Sequence, residues 1–172
     1  IVPKLMSSDG SIASTLIISP PGCGKTTFLR DLCRILGHGL SSCSLRPAQV
    51  AIVDERSEIA ACYGGVPQLD VGPRADVLDR CPKAKGIGML LRSMNPDVIV
   101  TDELGGEDDA RAVAMALSGG VKVIASCHGR DLDDIRSKPY SEWLVSRGYF
   151  TKAVVLSKRH GPGTIEYVGD IM

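Results

Sequence analysis

The sequence predicts an α/β fold: a mostly parallel central sheet flanked by helices, closed by a C-terminal antiparallel hairpin. Three observations carry that prediction. Short β-branched runs alternate with segments of helical apolar spacing. The runs are apolar along their whole length, as strands buried on both faces must be. And the polar features of the chain fall just after strands, the edge at which parallel sheets bind ligands. At 172 residues the chain suffices for one well-buried domain over 1–172, expected to be a C-terminal fragment because it begins at Ile1.

The elements follow in order. Thr15-Leu16-Ile17-Ile18 reads as a buried strand entering a Gly/Pro turn. Phe28, Leu32, Ile35 and Leu36 then recur at helical spacing, with Gly37 placed to stop the helix. Val50–Val53 is a second strand, ending at Asp54-Glu55. The stretch 64–82 is rich in Gly, Pro and Asp without a clear period and reads as a long functional loop. Ala84–Met94 reads as a helix that Pro96 forbids to continue. Val98–Val100 is a third strand, again ending in two acids. A helix marked by Ala110, Val113, Ala114 and Leu117 closes at Gly119-Gly120. Val121–Ser126 is a fourth strand, followed by Cys127-His128. A short helix over 141–147 leads to a strand over 150–156, a turn at His160–Gly163, and a returning strand over 164–168.

Composition narrows the function classes. Twenty basic and twenty acidic residues cancel, which gives no electrostatic argument for nucleic acid or an anionic membrane as the main partner. The six cysteines form no C-x-x-C pair, so they read as reduced thiols, with Cys23 expected to be the accessible one. No apolar run reaches the length of a membrane span.

Ser19-Pro20-Pro21-Gly22-Cys23-Gly24-Lys25-Thr26-Thr27 fits the P-loop pattern, with Ser19 in place of the usual first glycine. Such a loop turns successive N–H groups inward around phosphates, which Gly22 and Gly24 permit, and the following helix aims its positive end at them. Lys25 is expected on the β- and γ-phosphates and the Thr26 hydroxyl on Mg²⁺. Asn95–Glu103 has the form of a Walker B element, with Asp102 reaching the Mg²⁺ shell and Glu103 orienting water. Two adjacent carboxylates repel unless cations are near, which favours a metal there. Asp54, Glu55 and Glu58 offer further acids for water, and His128 stands where an imidazole can contact a terminal phosphate. Arg56, Arg74, Arg80 and Arg92 are all candidates to act across a subunit boundary, and sequence does not choose among them.

These residues resemble a known family. Leu90–Glu103 is similar to the Walker B region of type II and type IV secretion and pilus-retraction ATPases, and Gly120–Gly129 to their histidine box. Ile52–Cys62 and Asp70–Lys83 resemble, more narrowly, the sporulation stage III AA family of ATPases. The resemblance runs from about Leu16 to Val168. It implies a RecA-like P-loop NTPase, with ATP and Mg²⁺ as ligands and a homo-oligomeric ring, expected to be a hexamer. It also implies cytoplasmic placement in the mother cell, peripheral to a membrane through the components of a sporulation channel or secretion-like complex. Carried over by position, Glu103, Glu55 and His128 are the catalytic candidates, Ser19–Thr27 binds nucleotide, and Thr26 and Asp102 hold the metal. The secretion ATPases usually have glycine where Asp102 stands, and the proline usual in their acidic box is absent here. The competing readings are a small-molecule kinase, a GTP switch (no Asn-Lys-x-Asp segment is present), a nucleotide-binding scaffold without turnover, and a recombinase-like DNA motor.

Overall fold

A computed structural model describes residues 1–171. Seven strands form one sheet in the order β3-β2-β4-β5-β1-β6-β7. Their ranges are β1 Thr15–Ser19, β2 Val50–Asp54, β3 Ala75–Asp79, β4 Val98–Glu103, β5 Lys122–His128, β6 Lys152–Ser157 and β7 Thr164–Asp170. The first six are mutually parallel and β7 returns antiparallel to β6, as the sequence predicts. The helices are α1 Lys25–His38, α2 Lys83–Ser93, α3 Glu107–Ser118, α4 Leu132–Arg136 and α5 Pro139–Ser146.

The central strands are rich in apolar residues because both of their faces are covered. Leu16, Ile18, Ala51, Val53 and Ile99 enter one apolar cluster with residues of α2, α3 and α5. Their neighbours Ile17, Val50, Ile52, Val98 and Val100 enter a second cluster under α1. Alternate residues of each central strand thus supply both cores, so the middle of such a strand is hydrophobic on both faces and its polar residues fall toward its ends.

Two expectations need correction. The segment 64–82 is not all loop: Ala75–Asp79 is an edge strand pairing with β2 from Val50↔Ala75 to Asp54↔Asp79. Its residues are all half-buried, and the charges at Asp76 and Asp79 mask the apolar pattern by which buried strands are recognised. The first helix also continues past Gly37 to His38, and Gly39 caps it by donating its N–H to Ile35 O. Gly37 serves a different purpose: a methyl group there would lie 3.3 Å from the Arg74 backbone nitrogen, so it lets α1 approach the chain that enters β3.

Candidate nucleotide site

β1 runs directly into the glycine-rich loop, and α1 begins at Lys25. Gly22 and Gly24 have φ of +70° and +87°, a region that side chains rarely adopt. The loop and the start of α1 form one wall of a cleft of about 470 Å³, to which Gly22, Lys25 and Thr26 contribute. Arg56 and Glu58, Glu103, and Pro162 contribute the other walls.

Lys25 Nζ donates to Ser19 O at 3.1 Å and lies 3.8 Å from Glu103 Oε2. The Glu103 side chain is 44% exposed, so this pair faces the open cleft. Ser19 is buried, and its hydroxyl donates to Pro20 O. Cys23 is the opposite of the accessible thiol expected. It is 1% exposed, turned into the cluster that holds Ile17 and Leu29, with its Sγ 3.8 Å from Pro21 O.

The loop after β2 owes its shape to Asp54, which is fully buried. Its carboxylate accepts the N–H groups of Glu58, Ile59 and Ala60 at 2.9, 3.0 and 2.9 Å. Arg30 on α1 donates to the carbonyls of Ile59 and Glu58 at 2.6 and 2.7 Å. Asp54 is therefore a scaffold for backbone donors rather than an acid offered to water, and the loop it folds delivers Arg56 and Glu58 to the cleft. Arg56 pairs with Glu58 at 3.4 Å.

The acidic end of β4 is divided. Pairing with β5 slips between Thr101↔Ala125 and Glu103↔Ser126, leaving Asp102 as the extra residue of a β-bulge. Bulges beside sites re-aim side chains. Here the Glu103 carboxylate approaches Lys25, whereas Asp102 is buried and its Oδ1 lies 2.8 Å from Lys83 Nζ. Lys83, at the start of α2, also pairs with Glu55. The two acids expected to need a metal thus have a lysine each. Among the sequence-derived candidates, Asp102 and Glu55 meet at Lys83 and do not line the cleft.

Burial acts against the charge of Lys83, but the hydrogen bonds and charges of Asp102 and Glu55 outweigh it and hold its pKa above the ordinary lysine value. The Asp102 carboxyl is lifted above its ordinary value, chiefly by burial, with Lys83 opposing and Asp54 and Glu55 adding to the rise. Loss of water around the Asp102 carboxylate accounts for that direction, and the second acid sharing its one ammonium adds to it.

His128 ends β5 beside Ser19 in the strand register and is exposed outside the cleft lining, its carbonyl accepting from Lys138 Nζ. Sequence reasoning missed three groups that shape the site: Arg30, Lys83 and the turn at 158–163. A lone lysine after Pro82 and an arginine on an otherwise ordinary helix carry no spacing signal. The turn was legible as a turn, but not its place against the loop.

No helix among the described residues is long and apolar enough to cross a membrane. The family model of sporulation stage III, protein AA matches residues 1–171. Stage III sporulation protein AA of Bacillus subtilis is 46% identical over 157 residues, covering 91% of this chain and 50% of its own length. The chain therefore spans about half of that curated relative. Among solved structures, the VirB11 ATPase of the Brucella suis type IV secretion system, in complex with sulphate, aligns with a TM-score of 0.58 at 18% identity, over 91% of this chain and 49% of that one. The pilus retraction motor PilT with bound ADP aligns with a TM-score of 0.57 at 16% identity, over 83% and 42%. At such identities the structural likeness establishes the fold, that of the secretion and pilus ATPases, and the sequence match establishes kinship. The chain belongs to the sporulation stage III protein AA family.

Proposed function

We propose that this chain binds Mg-ATP on the loop Ser19–Thr27 and hydrolyses it, serving as the ATPase core of an assembly used in endospore formation. The observation that carries the reading is the convergence of Lys25, Thr26 and Glu103 on one open cleft at the carboxyl edge of a parallel sheet. Lys25 is bonded only to loop carbonyls and a half-exposed carboxylate, partners that a phosphate can replace. The ADP bound to PilT, which shares the fold, supports the choice of an adenine nucleotide.

The residues present fit a magnesium ion. Mg²⁺ keeps several waters and takes few protein ligands beside phosphate oxygens, and Thr26 supplies a hydroxyl on the cleft wall. The ion would neutralise developing phosphate charge. Asp102 does not fit the role of metal ligand while Lys83 holds it in the buried cluster. Glu103 and Glu58 both line the cleft, and to them we assign the orienting of water, whereas Glu55 and Asp102 are engaged with Lys83. A homo-oligomeric ring and a membrane-bound channel as partner follow from the family resemblance, with Arg56 the arginine placed on the cleft wall.

The test is Mg-dependent ATP hydrolysis over a range of protein concentrations, with Lys25→Ala as control. Turnover per subunit that rises with concentration and vanishes in the variant supports a site completed between subunits. Turnover unaffected by Lys25→Ala removes the reading.

A further inference from the structure

The β6–β7 turn closes the cleft from the far end of the chain. Gly163 donates its N–H to Cys23 O at 2.9 Å, and a methyl group on Gly24 would stand 3.2 Å from the Gly163 nitrogen. Pro162 lines the cleft directly. The same turn brings a cation to the loop: a methyl group on Gly22 would lie 3.6 Å from Lys158 Nζ.

The charged residues that line the cleft are paired with one another, and Lys158 stands at its edge, against Gly22. Lys25 faces Glu103, and Arg56 faces Glu58. Arg159, next along the turn, is 3.9 Å from Glu166. Lys158 is exposed and has no ion-pair partner among the described residues. An ammonium left over beside a glycine-rich loop that opens a helix is complementary to an anion with more than one charge.

The turn is braced by its own hydrogen bonds. Gly161 N donates to Lys158 O at 3.1 Å, and Arg159 N to Ser157 Oγ at 3.0 Å. His160 N donates to Thr164 Oγ1 at 3.2 Å, and that hydroxyl donates to Gly161 O at 2.7 Å. Little ordering of the backbone remains to be done when an anion arrives.

We infer that Lys158 is a second phosphate-contacting cation of the cleft, gripping the polyphosphate of a nucleoside di- or triphosphate from the Gly22 side while Lys25 holds it from the helix side. The inference rests on the nucleotide reading of the cleft. It makes the β6–β7 hairpin part of the binding site rather than a sheet-edge appendage.

The experiment is calorimetric titration of Mg-ADP and Mg-ATP into the wild-type protein, Lys158→Met, Lys158→Arg and Lys25→Ala, at low and high salt. Loss of one charge-assisted hydrogen bond predicts binding about tenfold weaker in Lys158→Met, with a smaller salt dependence. Lys158→Arg should keep most of the affinity, which a purely steric role of the turn does not predict. Equal affinities of the wild type and Lys158→Met overturn the inference while leaving the nucleotide site intact. Absence of Lys25-dependent binding in the wild type overturns the site reading and this inference together. Because Lys158 lies exposed on a turn, unchanged melting of the variant separates lost binding from lost folding.

Discussion

The two lysine–carboxylate pairs at the end of β4 involve adjacent acids and nevertheless do opposite things. Lys83 and Asp102 have side chains 6% and 9% exposed, at 2.8 Å. Lys25 and Glu103 are 11% and 44% exposed, at 3.8 Å. A dry pair has no solvent to fall back on, so removing either member strands a charge. A wet, loose pair contributes at most about 1 kcal/mol and is easily exchanged for a ligand. The comparison teaches that the Asp102-Glu103 dipeptide is one buried anchor, at the bulge itself, followed by one carboxylate open to the cleft.

The largest effect should come from breaking the dry pair. Lys83→Met should lower stability by about 3–5 kcal/mol, read by denaturant unfolding. A loss below about 1 kcal/mol would show that Asp102 and Glu55 find other partners. The double variant Lys83→Met with Asp102→Leu should recover part of that loss, since an apolar pair can replace a buried ionic one.

On the wet side, Glu103→Gln should melt as the wild type does and still bind ATP, but turn over about 100-fold more slowly, a change of about 2.7 kcal/mol in the barrier. Full turnover in that variant would transfer water orientation to Glu58.

A smaller effect concerns pH. The folded Asp102 carboxyl titrates above its unfolded value of 3.8, so the folded state holds that proton more tightly. Its contribution to stability is therefore fully present below pH 3.8 and is lost as pH rises through the folded pKa. The difference in unfolding free energy between the wild type and Asp102→Asn should fall across that window, by no more than about 1.4 kcal/mol per pH unit. A difference that rises with pH instead would mean that Lys83 dominates the pair.

The smallest effect is a labelling pattern. The Cys127 thiol is pushed up to about 12 by burial, and the Cys33 thiol is raised by burial as well. A thiol reagent at neutral pH should modify the half-buried Cys43 and Cys81 before Cys23. Rapid labelling of Cys23 would show that the glycine-rich loop opens in solution.

What was legible in the sequence was whatever repeats or has a fixed spacing. The doubly buried strands were visible in runs such as Leu16-Ile17-Ile18, and the glycine-rich turn between β1 and α1 in Gly22 and Gly24. β3 was hidden because an edge strand with Asp76 and Asp79 lacks an apolar run. The separate fates of Asp102 and Glu103 were hidden because a bulge is a property of the pairing with β5, not of the strand alone. Lys83 and Lys158 were invisible for a related reason: each acts on a segment far away in sequence, Lys83 on Glu55 and Lys158 beside Gly22. Cys23 turned inward against expectation because a place in a glycine-rich loop says nothing about which way a side chain turns.

The most direct test of the wet pair as the nucleotide-responsive half is the melting temperature of the wild type, Lys25→Ala and Asp102→Asn, with and without saturating Mg-ATP. Ligand at 100 times its Kd stabilises a protein by about 2.7 kcal/mol, which for a chain of this size raises Tm by several degrees. The account predicts that shift in the wild type and in Asp102→Asn, and none in Lys25→Ala. An equal shift in Lys25→Ala, or its loss only in Asp102→Asn, would contradict it.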